Sequence, residues 1–455
     1  MTVNIGSFVF TLAKKIEATT DPLELTILTK AAAKLKGGTI NSVYSFSLLP
    51  TITSSIYGDL YLVENENIIY WAHPEGWQKL GSIPAFSLVY TWGSNNYGQL
   101  GIGTSGAYSG KCSPVLMLGN TPASWMSIGK SPRSSRAIKR DGTLWSWGQG
   151  DCGVLGNSND NNFASPVTVS GGGTTWCQTS YTRAYFASGI KTDGTLWTWG
   201  RNSYGQLGDV SAPIRRSSPG TVSGEGTNWC FSTGGFRVMA GIKTDGTLWT
   251  WGTNNANPGA GALGDNTTTT RVSPGTTAGG GTNWCSVSFS TNDTGIGIKT
   301  DGTLWTWGDN SSGQLGIGSS GTNTCRSSPG TVAGGGTTWC RAMGFSGIKT
   351  DGTLWTWGSN TNGQLGDGTT TNRSSPVTTA GGGTTWCFST NTAWNGAGIK
   401  TDGTLWTWGN ALLGDTNAFA ARSSPGTTTG NLLNWRCILF SATATEAIAI
   451  RRFEV

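Results

Sequence analysis

The sequence predicts an all-β chain built as a closed seven-bladed β-propeller behind a small α+β N-terminal segment. Three observations predict it. First, the stretch Gly189-Ile-Lys-Thr-Asp-Gly-Thr-Leu-Trp-Thr-Trp-Gly200 recurs almost unchanged. Ile242 to Gly252, Ile298 to Gly308, Ile348 to Gly358 and Ile399 to Gly409 are near-copies, and Ile138 to Gly148 is a variant carrying Arg140 and Ser146. Second, the last Trp of the motif falls at Trp92, Trp147, Trp199, Trp251, Trp307, Trp357 and Trp408, with gaps of 55, 52, 52, 56, 50 and 51 residues. Seven copies at that period fit a ring of four-stranded sheets. Third, the ends complement each other. The first copy, Leu88 to Gly93, lacks the Ile-Lys-Thr-Asp-Gly half, and Ala447 to Phe453 resembles that missing half. Both termini are therefore expected in one blade, which locks the ring and covers edges that would otherwise pair with other chains.

Each copy reads as a β-hairpin. Asp193-Gly194 is a two-residue turn, because the turn that suits strand twist needs positive φ and Gly adopts it cheaply. Side chains alternate faces along a strand, so Trp197 and Trp199 share one face and Leu196 and Thr198 take the other. That two-indole slab must be covered. Burying one Trp removes roughly 150–250 Å² from water, about 4–6 kcal/mol gross at ~25 cal/mol/Å². The repeated Trp residues are therefore expected in the core rather than on the surface as sugar platforms.

The rest of each blade is a Gly-x-Leu-Gly loop such as Gly205 to Gly208, an Arg-Ser-Ser-Pro-like element, and a Gly-Gly-Gly-Thr-Thr-Trp-Cys strand. In the seventh blade the loop shrinks to Leu413-Gly414. Blades differ most between Trp-Cys and Gly-Ile, as in Gln178 to Ser188 against Arg341 to Ser346. Such segments are where a repeat scaffold diversifies its contacts.

Residues 1–87 stand outside the repeat. Asp21-Pro22-Leu23-Glu24 is a helix start, with an N-cap Asp, Pro in the first turn and Glu at the third position. The helix is expected to carry Leu25, Leu28 and Leu35 on its apolar stripe and to stop at Gly37-Gly38. A hairpin follows from Gly58 to Trp71, bringing Tyr61 near Tyr70, with Trp71 and Trp77 as apolar mass. Two domains are thus expected, 1–87 and 88–455.

Two resemblances follow from these residues. The succession Asp-Gly-Thr-Leu-Trp-Thr-Trp-Gly, then Asn202 to Gly208, then Arg216-Ser-Ser-Pro219, resembles the repeats of the regulator of chromosome condensation family over roughly 88–455, which implies seven blades. The stretch Gly58-Asp-Leu-Tyr61, an acidic turn, an aromatic strand and Gly76-Trp77 resembles short modules of tailed-bacteriophage virion proteins over about 20–80. That second resemblance implies a virion structural protein attached through its N-terminal part.

Composition narrows the classes. Gly is abundant at 71 residues and charge is low at 12%, but the glycines hold fixed repeat positions and 23 Trp argue for packing rather than disorder. The net charge of +6 is spread through the repeats, so no nucleic-acid tail is read from it. No apolar run reaches transmembrane length, and no signal peptide is visible. Cys177, Cys230, Cys285, Cys340 and Cys387 each follow a Trp, and no CxxC occurs. They are expected as small buried hydrophobes that stay reduced, with neither disulfides nor a metal site.

The only His is His73, outside the ring, so no Ser-His-Asp or Cys-His arrangement can be built there. No phosphate-cradling Gly-Lys-Ser/Thr loop occurs. Asp193, Asp245, Asp301, Asp351 and Asp402 precede Gly and read as turn formers. The expectation is a non-enzymatic chain without cofactors. The nucleotide exchange of the namesake family would need a distinctive charged loop face, which the uniform turns do not suggest.

Candidate contacts are Trp394, outside the repeated positions, with Tyr181, Tyr185 and Phe186 in a variable segment. Arg216, Arg271, Arg326, Arg373 and Arg422 form a cationic ring able to bind an anionic glycan, although pairing with repeat carboxylates or carbonyls is the simpler reading. Lys191, Lys243, Lys299, Lys349 and Lys400 form a second ring, expected at solvated hairpin edges.

The expected function is a bacteriophage tail, baseplate or fibre component, assembled in the host cytoplasm and located on the virion. Residues 1–87 would bind other virion proteins or self-associate, and the ring would present a rigid disk to a host receptor, in several copies per particle. A capsid decoration or head fibre is the alternative within that class. A free cytoplasmic protein-interaction module or GTPase exchange factor is the alternative outside it.

Overall fold

The computed structural model describes residues 86–453, apart from 119–124, 172, 211–213, 224–225, 255–260, 280, 291–292, 411–413, 415–420, 429–432 and 442–444, and before them 41–43, 60–63, 68–73 and 76–82. Two compact units result.

In the N-terminal unit, strands Asn41–Val43, Leu60–Val63, Ile68–His73 and Gly76–Ser82 form one sheet in that order. The first pair is parallel and the others antiparallel. Tyr61 stands opposite Tyr70, and Trp71 pairs with Leu60. Ala72 is buried and Trp77 half-buried. The helix expected from Asp21, with Leu25, Leu28 and Leu35, lies outside the described residues.

The second unit is all β, with seven four-stranded blades. The third blade shows the pattern: Trp176–Thr179 innermost, then Phe186–Lys191, Leu196–Arg201 and Arg215–Thr221, each antiparallel to the next. The first blade is made by both ends of the chain, with Trp435–Phe440 and Glu446–Phe453 beside Phe86–Gly93 and Lys111–Leu116. Closure follows from the sequence: the hairpin half missing at the start is supplied at the end.

Tryptophan packs the inside of each blade and ties it to the blade before. Trp176 of the inner strand meets Trp197 and Trp199 edge to face, with ring centroids 6.4 and 6.1 Å apart, and the same triad recurs in later blades. The last Trp of each hairpin is buried, and from Trp147 to Trp408 it donates its indole N–H to the preceding blade: Trp199 to the Val154 carbonyl at 2.9 Å, Trp251 to Gln206 at 3.0 Å, Trp408 to Gln364 at 2.8 Å. The glycine closing each Gly-x-Leu-Gly loop lies against that ring. Gly208 has φ +69°, and a Cβ there would stand 2.7 Å from the Trp251 Nε1. Both the conformation and the close approach demand glycine.

The cysteine expectation needs correction. Cys177, Cys230, Cys285, Cys340 and Cys387 are unpaired but exposed. They stand one place after the buried inner Trp, and alternation along the strand turns them away from the core. Each thiol rests on a neighbouring strand carbonyl, as Cys177 on Ile190 at 3.3 Å.

Candidate interaction surface

An antiparallel blade has two ends. One carries the Asp-Gly turns; the other carries the connections from first to second and from third to fourth strand. The turn end is uniform. Asp193 Oδ1 accepts from the Thr195 N–H at 2.9 Å and hydroxyl at 2.7 Å, and Thr195 Oγ1 accepts from the Trp197 indole at 2.8 Å. These bonds from Thr195 hold the Asp193 carboxyl below its ordinary range. Lys191 covers the slab, its ammonium 4.3 Å from the Trp197 ring centroid and 5.1 Å from that of Trp176. Lys243, Lys299, Lys349 and Lys400 repeat the contact at 4.2–4.3 Å. The second cationic ring thus covers aromatic faces.

The first cationic ring is engaged locally. Arg216 pairs with Asp209 at 3.0 Å, Arg271 with Asp265 at 3.0 Å and Arg373 with Asp367 at 2.7 Å. Arg326 donates to the Thr331 carbonyl at 3.1 Å and Arg422 to the Thr407 hydroxyl at 3.1 Å. All five are half-buried.

The loop end differs from blade to blade. In the third blade the segment after Thr179 turns inward, so Tyr181 and Phe186 are buried and Tyr185 is half-buried. A buried ring makes no outward contact, which corrects the surface role expected of Tyr181 and Phe186. The segment carries Arg183, only 2% exposed. Its Nε donates to the Phe289 carbonyl of the fifth blade at 2.9 Å and its Nη2 to the Asn391 carbonyl of the seventh at 3.1 Å. One side chain from the third blade therefore crosses the axis. Its room comes from the sixth blade, whose inner strand ends at Met343 and resumes at Ser346.

Further buried charges gather at this end. Lys130 Nζ lies 3.2 Å from Glu446 Oε1, both side chains fully buried, joining the second blade to the C-terminal strand. Burial lowers the Lys130 pKa and Glu446 opposes that shift. Arg136 bonds Ser131 Oγ at 2.8 Å and the Ser180 carbonyl at 3.0 Å, and burial brings it down to about 9, so it stays charged at neutral pH. Asp293 accepts the backbone N–H groups of Phe236 and, at 3.2 Å, Arg237. Burial pushes its carboxyl up to about 6 against these bonds and the Arg237 and Arg183 charges.

Of the two residues Asp293 anchors, Phe236 is exposed and Arg237 half-buried. The Arg237 guanidinium stands 5.2 Å from the Tyr204 ring centroid and 5.6 Å from that of Phe236. Phe236 is 47% exposed and Trp394, in the equivalent connection of the seventh blade, 45%. Arg133 lies over Tyr97 at 5.0 Å on the same end. Sequence reasoning named Trp394 but missed Phe236, Arg237, Arg183 and Asp293; the signal available was their place between Trp-Cys and Gly-Ile. Among the described residues no three His, Cys, Asp or Glu side chains converge as a metal site, and no helix is long and apolar enough to cross a membrane.

The architecture defines a repeat propeller whose variation is gathered at one end and along the axis. The fold is that of the RCC1-repeat β-propeller. A model of the regulator of chromosome condensation (RCC1) repeat matches residues 88–131, 193–233, 301–342 and 351–385, and a second model of that repeat matches 284–314. The chain is 30% identical to the human probable E3 ubiquitin-protein ligase HERC6 over 233 residues, 50% of this chain and 22% of that protein. It is 27% identical to the ultraviolet-B receptor UVR8 of Arabidopsis thaliana over 234 residues, 51% of each. The match to human HERC2 covers 41% of this chain and 4% of that ligase. The chain thus spans about half or less of these relatives. Among solved structures, Prp20p of Saccharomyces cerevisiae, described with its binding to Gsp1p and histones, superposes with a TM-score of 0.67 at 14% identity, covering 81% of this chain and 92% of that one. Human WBSCR16 gives 0.66 at 16% identity, covering 80% and 98%. At such identities the superpositions speak for the fold.

These findings correct the functional expectations. The bacteriophage structural role, the virion location and the virion and host-receptor partners are overturned, because the relatives reported above are eukaryotic ligases and a receptor and the superposed structure is yeast Prp20p. The short motifs behind that resemblance make a sheet of paired strands, an arrangement that carries no function by itself. The expectation of a chain without enzymatic function is overturned too, since ligases stand among its relatives. The missing catalytic triad was weak ground: nucleotide exchange on a GTPase proceeds through binding energy and needs no nucleophile or general base.

Proposed function

We propose that this chain is a protein-interaction module of the RCC1-repeat type, which recognises a partner protein with the loop end of its ring. The observation that carries the reading is the group of exposed Phe236 and Tyr204 with the half-buried Arg237 beside them, and Trp394 on the same end. Aromatic and arginine side chains presented together are the composition of interface hot spots. The Asp293 anchor fixes the loop before a partner arrives, which lowers the ordering cost of binding. The partner side best suited to an unpaired guanidinium between rings is acidic.

The relatives suggest where to begin. Prp20p is described as binding Gsp1p and histones, so a Gsp1p-like GTPase and histones are the first partners to titrate. Stimulated nucleotide release from the GTPase would extend the reading to exchange. We propose 1–87 as a separate domain whose removal leaves ring binding intact. The test is surface plasmon resonance with the full chain and its Phe236→Ala, Arg237→Ala and Trp394→Ala variants. Loss of at least about tenfold in affinity for these, with Lys191→Ala unchanged, supports the reading. Equal binding by all four sinks it.

A further inference from the structure

The axis of the ring is a cavity of about 470 Å³ whose wall is drawn from the inner strands of all seven blades. Small-molecule sites span about 300–1,000 Å³. The residue two places after the inner Trp lines this cavity in every blade, yet it changes between copies that are otherwise nearly identical. It is polar in three blades, a cysteine at Cys437, aromatic at Phe231 and Phe388, and cationic at Arg341. A purely structural position would have no reason to differ so much where the strands around it match.

Arg341 is the one charged residue of the described wall, which holds no Asp or Glu. Its side chain is exposed at the end of the cavity nearer the Asp-Gly turns, and its recorded neighbour is the Phe388 ring, 5.8 Å from the guanidinium carbon. No hydrogen bond or ion pair ties it to the described residues. Its charge opposes the effect of burial on the Cys340, Cys387 and Cys437 thiols, which places all three within reach of its field. At the other end Tyr181 is 7% exposed and lines the cavity, and its phenol hydroxyl has no hydrogen-bond partner among the described residues. A buried hydroxyl left unpaired is costly, so it is either strain or a place for a ligand atom. Met343 packs with Tyr181 and Leu439 there, and Arg183 crosses just beyond. Entry is therefore from the turn end. In blade register Tyr181 lies three residues beyond the level of Arg341, about 10 Å at ~3.3 Å per residue.

We propose that the axial cavity binds an elongated aromatic carboxylate, its carboxylate on Arg341 at the mouth, its rings between Phe231 and Phe388, and a polar atom at its far end on the Tyr181 hydroxyl. Such a ligand supplies the anion that Arg341 lacks and the partner that Tyr181 lacks. Ile128, Val287, Ala342 and the two Phe rings supply apolar surface for the rings in a wall that also carries Ser and Thr.

The probe is biphenyl carboxylic acid hydroxylated at the end opposite the carboxyl, titrated calorimetrically into the full chain. Its unhydroxylated form and its neutral carboxamide serve as comparisons. The expected result is one molecule per chain, with the carboxamide and the Arg341→Gln variant each weaker by about tenfold or more. Tyr181→Phe should weaken the hydroxylated probe about two- to tenfold and leave the unhydroxylated one unchanged. Ser286→Trp, which puts an indole into the cavity from the neighbouring fifth blade, should abolish binding. Arg341 and Ser286 lie outside the packed core, and thermal melting of both variants checks that the ring is intact. No binding at about 1 mM, or binding that survives both Arg341→Gln and Ser286→Trp, overturns the proposal. A partner held on the loop end leaves this titration unchanged, so the two readings fail separately.

Discussion

At the turn end, blade after blade repeats one set of contacts: carboxylate to threonine, threonine to indole, ammonium over the rings. At the loop end, the contacts are single: Lys130 with Glu446, Arg183 across the axis, Asp293 under Phe236 and Arg237. The two ends share strands and therefore stiffness, but they distribute energy differently. A repeated exposed contact is worth little each time, and losing one leaves its copies intact. A buried charge that occurs once has no substitute, and its removal strands its partner in a medium that cannot solvate it.

The strongest break of this comparison is Glu446→Ala. It leaves the Lys130 ammonium buried without its counter-ion, and the blade that closes the ring is the one affected. We expect a loss of about 3–5 kcal/mol, read from urea unfolding. The double variant Lys130→Met, Glu446→Leu should recover most of it, because apolar groups of similar volume need no partner. If the double variant is as unstable as the single, the pair acts through packing and the electrostatic account fails.

The second break is pH. Asp293 titrates at about 6 in the fold against an ordinary 3.8, so between these values the folded chain holds a proton that the unfolded chain has released. Its contribution is fully present below about pH 4 and is lost as pH rises through about 6. Roughly two pH units correspond to about 3 kcal/mol as an upper figure. Asp293→Asn should flatten that part of the stability curve. A wild-type curve that rises from pH 4 to 7 relative to Asp293→Asn contradicts the sign.

Much of the ring was legible because its information is local and repeated. The turn needs Gly194, the slab needs Trp197 and Trp199, and closure needs a hairpin half at each end; each is visible within a dozen residues. Burial of the third-blade segment was not legible. Tyr181 and Phe186 look like surface aromatics in a variable loop, and only the short sixth-blade turn explains why there is room for that loop inside. That fact joins residues far apart in sequence. Arg216 and its equivalents were readable as local pairs, since an Asp precedes most of them within a few residues. The exposed cysteines were misread because Trp-Cys looked like two core residues, although alternation allows only one of them inward. The functional misreading came from short motifs near the N-terminus, where strand pairing alone accounts for the pattern.

A third, smaller effect tests the glycine at the blade seam. Gly208→Ala puts a Cβ 2.7 Å from the Trp251 Nε1 at φ +69°. We expect about 1–3 kcal/mol of destabilisation from the strained backbone and displaced indole. Gly279→Ala has a similar φ of +69° but open space around it. The difference between the two variants therefore isolates the contact with the ring. Equal losses would assign the whole effect to backbone conformation.

The smallest effect sharpens the comparison from the repeated side. Lys191→Met removes one ammonium from above Trp197 and Trp176 while keeping an unbranched side chain to cover the rings. A cation–π contact at an exposed site contributes about 0.5–1 kcal/mol, so the expected loss is no larger. Adding Lys299→Met, two blades away, should simply double it, because distant contacts without shared partners add. Salt should shrink both losses, since the ammonium groups are exposed to screening. Should the double variant instead lose much more than the sum, the repeated contacts would be coupled through the ring. The turn end would then resemble the loop end, where one missing group is felt by several blades.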